Sequence, residues 1–324
     1  MPSPRSQEQL AEAARLYYVD NLPQDEVARR LGTSRSNVSR ILQAARETGI
    51  VKFQIQYPIA RRQQLERALV ETFGVREALV LDAGLGNSIQ DRVGQLAAHW
   101  LLDHLVDGTT IAVSWGAALQ SLTEQVVTDR THDIDVVQLG GDLQVDPHLS
   151  SHEHVRELAA RLGGDYSYLH APAFVKTSLC ATSLRDSYDI GQELKKAAAA
   201  DMALVGIGAF GAGFGERLLA SGVLEPADRE LLIASDPAGD ICARFIDDDG
   251  VERDTPVRHR VLAVELDDLR RIPVVVGVLS GRHKGRALRA VLRGRLLDVV
   301  VTDQAAATAA IHLERARHSE RYDA

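Results

Sequence analysis

Residues 24–41, which read QDEVARRLGTSRSNVSRI, most strongly constrain the fold, because their spacing is that of a helix-turn-helix. Such a motif needs a small side chain where its two helices cross, and Ala28 occupies that place. Gly32 follows where a tight turn requires a positive φ. Val38 and Ile41 share the face of the second helix that packs against the first. An ordinary helical hairpin with surface arginines is the alternative, and four coincident constraints disfavour it.

The outward face of the second helix is polar and predicts contacts with double-stranded operator DNA. Thr33 or Ser34 can cap this helix, because a hydroxyl there accepts the unpaired N–H groups of the first turn. Arginine reads guanine, asparagine reads adenine, and serine contacts phosphates or bases. The predicted DNA-binding residues are Arg35, Ser36, Asn37, Ser39, Arg40 and Gln43.

The boundary between this head and the rest of the chain is predicted near Pro58. Apolar residues alternate over 51–57 and predict a short strand, which would form a wing beside the helices. We therefore expect a winged helix-turn-helix domain over residues 1–57 and a second domain over 58–324. Candidate phosphate contacts near the boundary are Lys52, Arg61 and Arg62.

A short apolar stripe follows the boundary. Leu65, Leu69 and Phe73 recur every four residues within 61–73, so they lie on one face of a predicted helix. Two interpretations stay open. The helix pairs two protomers, as a dimeric operator-binding protein requires, or it packs on its own domain.

Charge and composition agree with a DNA-binding head on a globular chain. Residues 1–62 contain 10 Lys/Arg and 6 Asp/Glu, whereas the whole chain contains 37 and 45. A basic end on an acidic protein fits DNA binding at that end alone. No run of about twenty apolar residues predicts a membrane span, and no apolar signal segment opens the chain. Cys180 and Cys242 have no metal or redox spacing, so we expect a cytoplasmic protein.

From residue 78 onward, strand-like apolar segments alternate with helical ones. The alternation predicts a Rossmann-like, mostly parallel α/β sheet that is covered on both faces. The predicted strands are 78–82, 110–114, 134–139, 166–170, 202–207, 260–266, 274–279 and 297–302. The predicted helices between them are 87–106, 117–128, 153–162 and 284–292.

Glycine-rich loops follow several of these strands, and in such sheets ligands bind beyond the carboxyl ends of the strands. Glycines let the backbone approach a ligand, and N–H groups at a helix start favour an anion. Lys284 adds a positive charge at one helix start. The loops together predict a site for a small polar anion. They are Ser114-Trp115-Gly116, Gly140-Gly141-Asp142, Gly206-Ile207-Gly208 and 280–284.

The chain resembles the SorC family of bacterial sugar-sensing transcriptional regulators over roughly residues 8–312. The resemblance rests on the helix-turn-helix head, the SWG and GGD loops, the segments LVGIGA and GDICARF, and the block VVVGVLSGRHKGRALRAVLRGRLLDVVVTD, in that order. It implies a regulator without enzymatic activity or cofactor, and an effector domain similar to sugar-phosphate isomerases. It also implies a sugar or sugar-phosphate effector and a homodimer or homotetramer.

The resemblance assigns a phosphate side to the predicted site. It places Ser114 and Gly116 on the phosphate-side loop and makes Lys284 the phosphate-binding lysine. Members of the family often have hydroxyl residues directly after SWG, whereas this chain has Ala117 and Ala118. Two hydrogen-bond donors to a phosphate are thus replaced, which leaves an unphosphorylated sugar or polyol open as the effector.

The resemblance also assigns a sugar side. It places Gly140 and Gly141 on a loop beside the sugar and makes Asp240, in the GDI segment, a polar contact. The full set of predicted effector-binding residues is Ser114, Gly116, Gly140, Gly141, Asp142, Gly206, Gly208, Asp240 and Lys284.

An NAD(H)-sensing repressor is the first alternative function. Gly206, Gly208 and Gly211 match the G-x-G-x-x-G fingerprint of dinucleotide-binding proteins directly after a strand. The match is weak, because the segment continues through Gly213 and Gly215 and no helix begins cleanly at the third glycine.

A sugar-phosphate isomerase or deaminase is the second alternative. Such an enzyme needs a base beside the substrate carbon or a lysine that forms a Schiff base. No pattern brings the candidate residues together, so we expect no enzymatic activity and name no catalytic residue. The candidates are Asp142, Glu216, Asp240, Lys176 and Lys284.

Three smaller features have ordinary structural interpretations. His148, His152 and His154 match no common zinc spacing, so no metal site is predicted. The run 247–250, DDDG, is interpreted as a hairpin turn between two strands. The face of a helix that carries Arg286, Arg289 and Arg293 is interpreted as solvated or as an interprotomer surface. The three are all weak signals.

Overall fold

The structure is a computed structural model, and it describes residues 7–51, 59–82, 88–142, 151–212, 214–220, 222 and 224–322. The chain divides into two compact units, Met1–Pro58 and Ile59–Ala324. The predicted wing falls almost entirely outside the described residues, as do Lys52 and His148.

The first unit is a cluster of helices built around the predicted helix-turn-helix. Its helices are α1 (Gln7–Ala14), which continues into a π-helical turn (Arg15–Val19), α2 (Gln24–Arg30) and α3 (Arg35–Glu47). Val27 and Ala28 of α2 are buried with Val38 and Ile41 of α3 in one apolar cluster. The predicted contact between the two helices is confirmed.

The turn and the cap between α2 and α3 also follow the sequence. Gly32 has a φ of +61°, which a side chain with a Cβ rarely adopts. Ser34 is the cap of α3, and its Oγ accepts a hydrogen bond of 3.2 Å from the N–H of Asn37. Of the two candidate caps, Ser34 therefore takes this role.

The second unit is a mixed, mostly parallel sheet with helices on both faces. Its strands are β1 (Glu77–Leu81), β2 (Thr109–Val113), β3 (Ile134–Gln138), β4 (Asp165–Tyr166), β5 (Met202–Ala209), β6 (Gly239–Ile241), β7 (Arg244–Ile246), β8 (Val274–Val278) and β9 (Val299–Asp303). Its helices are α4 (Gln63–Phe73), α5 (Ile89–His104), α6 (Ala117–Gln125), α7 (Ser151–Leu162), α8 (Ser178–Asp186), α9 (Tyr188–Ala198), α10 (Phe214–Ala220), α11 (Pro226–Ala234), α12 (Leu266–Leu269), α13 (Gly285–Arg293) and α14 (Gln304–Tyr322).

The strand order places a ligand crevice at the centre of the sheet. The order is β1-β9-β8-β5-β2-β3-β4, and every neighbouring pair in it is parallel. From β2 the chain winds outward to β3 and β4, whereas from β5 it winds the other way to β8 and β9. The winding therefore reverses between β2 and β5, which is where open α/β sheets bind ligands. The predicted α/β fold is confirmed.

Two apolar cores lie on the two faces of the sheet. Alternate residues of β1 show the division, since Val80 packs into one core and Leu79 and Leu81 into the other. The first core includes Leu69 of α4, which is fully buried. The stripe on α4 thus packs on its own unit, which was the second of the two interpretations.

Two predicted strands are wrong in extent or in kind. In place of the predicted strand 166–170, only Asp165–Tyr166 pairs with β3, and these two residues form β4. The segment 260–266 is not a strand, because it contributes only isolated bridges, at Val261 and Ala263, between a 3-10 turn and α12. Its buried apolar residues cover the ends of other elements, and an apolar run alone does not separate that role from a strand.

The hairpin of β6 and β7 was not predicted. Each strand has three residues, too few for a visible alternation. Its two-residue turn is Cys242-Ala243, with φ values of +51° and +63°, where Asn-Gly or a similar pair is the usual sequence signal.

The arginine face of α13 has partners within the chain, so its interpretation as a solvated surface is wrong, whereas its interpretation as an interprotomer surface stays a prediction. Asp248 and Asp249, in the turn after β7, accept from these arginines. Arg286 bonds Asp248 at 2.7 Å, and Arg293 bonds Asp249 at 2.7 Å. The bonds from Arg286 hold the pKa of Asp248 below its usual value. The predicted hairpin turn is present, since Ile246 bridges Glu252 across it.

Candidate functional site

The recognition helix α3 presents most of its predicted contacts to solvent. Arg35, Ser36, Ser39, Arg40 and Gln43 are exposed. Their side chains project from α3 on the side opposite the residues that pack on α2. This exposed polar face is the arrangement that insertion into a major groove requires.

Asn37 is the exception on this helix, because it is partly buried and its amide has an internal partner. Its Nδ2 donates to Oγ1 of Thr33 at 2.8 Å. Gln43 likewise donates to Glu47, at 2.8 Å. Contacts from either amide to a base therefore require exchange of a hydrogen bond that the unbound protein already makes.

Two of the candidate phosphate contacts are occupied by carboxylates of their own unit. Arg61 pairs with Glu66 at 2.7 Å, and Arg62 pairs with Asp82 at 2.9 Å. These pairs lie beside β1, whose edge they cover through a hydrogen bond from the Arg62 N–H to Val80. These local ion pairs and the contact with β1 explain the positions of the two arginines.

A cavity of about 420 Å³ lies at the carboxyl ends of the central strands, where the winding reverses. Six of the predicted effector-binding residues line it. They are Ser114, Gly116, Gly206, Gly208, Asp240 and Lys284. Further residues that line it include Gln90, Trp115, Cys242, His283 and Asp303.

Ser114 joins the two central strands at the floor of the cavity. It follows β2, is 2% exposed, and its N–H donates to Leu204 of β5 at 2.9 Å. Its Oγ accepts from the N–H of Gly206 at 3.1 Å. Gly116 then opens α6, whose first turn begins with Ala117 and Ala118. This wall offers backbone N–H groups to a ligand but no hydroxyl from those two positions.

Asp240 reaches the cavity from the hairpin of β6 and β7. It pairs in register with Gly208 of β5 and is 5% exposed. A Cβ at position 208 would overlap Oδ1 of Asp240, so the carboxylate occupies the space that glycine leaves. The adjacent turn places Cys242 in the wall, where burial raises the pKa of its thiol to about 12.

Lys284 closes the cavity from the loop after β8. Its Nζ donates to the carbonyl of Ile207 at 2.8 Å, which fixes the ammonium group beside β5. Asp303, at the end of β9, accepts from the N–H of Gly281 at 2.8 Å and from Ala305 at 3.2 Å. The carboxylate thereby holds the loop to the start of α14. The cavity thus combines one ammonium group with two carboxylates.

The GGD loop does not line this cavity, so the placement of Gly140, Gly141 and Asp142 there is corrected. The N–H of Gly141 donates to Leu262 at 2.8 Å, and a Cβ on it would overlap the backbone of Ala171. These glycines are needed for close backbone packing. Gly140 still supports the site indirectly, because it lies against the ring of Trp115.

The dinucleotide fingerprint is not in the required context. Gly206 and Gly208 lie inside β5, which runs to Ala209, and the next helix begins only at Phe214. A dinucleotide fold needs the glycines in the turn that opens a helix. Gly208 instead pairs with the antiparallel β6.

The residues considered for an enzymatic reaction also do not come together in one site. Glu216 is exposed on α10, and Lys176 is exposed beside Glu225. Only Asp240 and Lys284 share the cavity. Within the described ranges, no group of three His, Cys, Asp or Glu residues could hold a metal ion.

Asp303, Cys242 and Gln90 were missed by the sequence reasoning. Asp303 had a visible signal, since it follows a predicted strand directly and precedes a helix, as the other loops do. Cys242 had none, because the hairpin that carries it was not predicted. Gln90 lies near the start of α5 and enters the site only through tertiary packing, with Nε2 bonded to Ala117 at 3.1 Å.

Comparisons with known proteins agree with this geometry. Residues 57–312 match the protein family described as "Putative sugar-binding domain", and residues 5–48 match region 4 of sigma-70. Transcriptional regulator LsrR of Klebsiella pneumoniae subsp. pneumoniae is 31% identical over 309 residues, which cover 95% of this chain and 94% of LsrR. The sorbitol operon regulator of Klebsiella pneumoniae is 31% identical over 304 residues, with coverage of 91% and 95%.

A solved structure has a similar fold. The crystal structure of the full-length sorbitol operon regulator SorC from Klebsiella pneumoniae matches with a TM-score of 0.70 and 28% identity, over 94% of this chain and all of that one. The chain belongs to the SorC family of sugar-binding transcriptional regulators. In the part of the chain that the structure describes, no helix is long and apolar enough to cross a membrane.

Proposed function

We propose that this protein is a transcriptional regulator whose binding to operator DNA is controlled by a small carbohydrate in the cavity between β2 and β5. The observation that carries the proposal is the convergence of Ser114, Asp240 and Lys284 on that cavity. A buried carboxylate accepts hydrogen bonds from sugar hydroxyls, and an ammonium group with backbone N–H groups suits an anionic substituent. A sugar phosphate, a polyol or a polyol phosphate satisfies these groups.

The recognition helix supplies the DNA-binding half of the proposal. Arg35 and Arg40 are the proposed base-reading arginines on its exposed face, with Asn37, Ser36, Ser39 and Gln43 beside them. In a symmetric homodimer or homotetramer, two such helices would enter successive major grooves of a palindromic site. An effector changes this binding only by its difference in affinity for the protein arrangements that fit and do not fit the operator.

The proposal is tested by thermal stability of the purified protein against sugars, polyols, their phosphates and NADH. A ligand at a hundred times its Kd stabilises the protein by about 2.7 kcal/mol, which shifts Tm measurably. A shift with a sugar or polyol, phosphorylated or free, supports the proposal. The protein can then be used to select operator-like duplexes from a random DNA library. Its affinity for the selected duplexes should fall or rise when that ligand is added.

A matched pair of variants assigns the ligand to the cavity. Lys284→Met should weaken an anionic effector at least about tenfold, because hydrogen bonds to charged groups are worth about 1.5–3 kcal/mol. Lys176→Met, at an exposed lysine that does not line the cavity, should bind as the wild type does. A shift with NADH alone, or steady turnover of a sugar phosphate, would overturn the proposal.

A further inference from the structure

A second recess lies on the other side of the loop that closes the cavity. It is a groove of about 820 Å³ between the segment 282–286 and α14, called the α14 groove below. His283 lines both the cavity and the groove. The groove is lined by Arg282, His283, Arg286, Gln304, Ala305, Thr308, Ala309, His312 and Leu313.

The described lining of the α14 groove includes two arginines and two histidines. Arg282 and His312 are exposed, and within the described ranges their side chains have no hydrogen bond or ion pair. Arg286 is held in place by Asp236 at 2.9 Å and Asp248 at 2.7 Å. None of the described lining residues is a carboxylate.

The cavity has the opposite balance. There the described lining residues include one ammonium group, that of Lys284, and the nearly buried carboxylates of Asp240 and Asp303. A phosphate dianion is repelled by carboxylates at short range and attracted by guanidinium groups, which bind it bidentately. The described lining of the α14 groove contains no carboxylate, so Arg282 offers a second place where a phosphate group can bind.

The floor of the α14 groove is apolar and rests on two helices that pack directly against each other. A Cβ at Gly285 would overlap the Cβ of Ala309, so α13 and α14 are in direct contact beneath it. Ala305, Ala309 and Leu313 supply small apolar surface, and Gln304 and Thr308 supply polar groups beside it. Such a surface accepts the carbon skeleton or ring of a small molecule whose phosphate lies on Arg282.

We propose that the α14 groove is a second ligand site, which binds a small phosphorylated molecule through Arg282 and His312, beside Arg286, whose guanidinium group already donates to Asp236 and Asp248. The site communicates with the cavity through the loop 281–284. His283 is shared by the two recesses, and Gly281 is bonded to Asp303, which directly precedes the groove residue Gln304. A ligand in the groove and one in the cavity therefore act on the same loop.

The binding step is tested without any knowledge of the cavity ligand. Pyrophosphate and inorganic phosphate are titrated by calorimetry into Lys284→Met protein, in which the ammonium group of the cavity is removed. We expect binding to persist there and to weaken at least about tenfold when Arg282→Ala and His312→Ala are added. Arg67→Ala, at an exposed arginine of α4, is the matched control and should leave it unchanged.

Three results would overturn the proposal. Phosphate binding could vanish with Lys284→Met alone, which places it in the cavity, or survive Arg282→Ala and His312→Ala unchanged. The double variant could instead alter sedimentation without any effect of phosphate, which would make the groove a contact between copies of this chain. Arg282 and His312 are exposed, so the variants should fold, and thermal melts check this.

The coupling step rests on the proposed function and is tested separately. A saturating groove ligand should change the affinity of the cavity ligand, and the cavity ligand should change groove binding by the same factor. Equal affinities with and without pyrophosphate would refute the coupling. Failure of every sugar to bind would remove the proposed function but leave the calorimetric result on the α14 groove intact.

Discussion

The recognition helix and the effector cavity show two opposite ways of placing functional groups. On α3 the proposed contacts lie within nine consecutive residues and most are exposed, so their geometry depends on one helix and its cap. In the cavity, Ser114, Asp240 and Lys284 come from distant parts of the chain and are fixed by strand pairing and by hydrogen bonds to the backbone.

The difference predicts how each region responds to change. A substitution on α3 should alter DNA affinity and leave the second unit intact, because the side chain touches little of the protein. A substitution in the cavity should disturb packing and ligand binding together, because each polar group there has been positioned by a close neighbour. The experiments below test this contrast, from the largest expected effect to the smallest.

Gly208→Ala should have the largest effect. The added methyl group overlaps Oδ1 of Asp240, which is nearly buried and has little room to move. We expect a loss of about 1–3 kcal/mol in the free energy of unfolding, as for other overpacked sites, and effector binding weakened at least tenfold. Chemical denaturation and ligand titration measure the two effects.

Gly215→Ala is the control for that change. Its added Cβ would make only ordinary contacts, the nearest at 3.5 Å to Phe210. It should keep stability and ligand binding near the wild-type values. Wild-type effector affinity in Gly208→Ala would show that the position of Asp240 does not matter for binding, and the proposed role of that carboxylate would be withdrawn.

Arg40→Ala tests whether α3 reads bases. If Arg40 contacts guanine, the variant should lose about 1–3 kcal/mol at one base pair and relax specificity there. If it contacts phosphate, affinity should fall for all sequences. The slope of log affinity against log salt concentration should then decrease by about one. Competition binding with single-base operator variants distinguishes these results, with Arg46→Ala as the comparison on the same helix.

The same contrast explains what the sequence predicted and what it did not. The head was predictable in detail, since Ala28, Gly32, Ser34 and Val38 act on neighbours within a few turns of the chain. The parallel strands were predictable because apolar segments and helices alternate. The GGD loop was misplaced because glycines that permit backbone packing look the same in a sequence as glycines that approach a ligand.

The hairpin of β6 and β7 marks the limit of that reasoning. Asp240 was placed in the site only by family resemblance, because two three-residue strands leave no pattern and their turn uses Cys242 and Ala243 in place of glycine. The partners of the arginines on α13 were also hidden. Arg286 and Asp248 are 38 residues apart, and Arg293 and Asp249 are 44 apart, so these charges meet only once the fold exists.

Ser34→Ala tests the local construction of the head. The variant removes the hydroxyl that accepts from the N–H of Asn37, and loss of such a cap costs about 1 kcal/mol. DNA affinity should fall through weaker ordering of α3, whereas effector binding should be unchanged. Ser39→Ala, on the exposed face of the same helix, should leave stability unchanged. A loss of effector affinity in Ser34→Ala, measured without DNA, would show that the head is not the locally determined region that this contrast requires.

Asp248→Asn should have the smallest effect, and its pH dependence identifies the cause. The bonds from Arg286 hold the pKa of Asp248 below its usual value of 3.8, so the ionised carboxylate stabilises the folded state above that pH. The pair is partly exposed, and the loss should be about 1 kcal/mol at most. The Tm difference between wild type and variant should stay constant from pH 8 to 5 and shrink as the pH falls below about 4, because the carboxylate is then protonated first in the unfolded chain and, at lower pH, in the folded protein. Asp254→Asn, at an exposed carboxylate, should show no such difference. A Tm difference that does not shrink at all as the pH falls below about 4 would mean that Asp248 acts through packing and not through its charge.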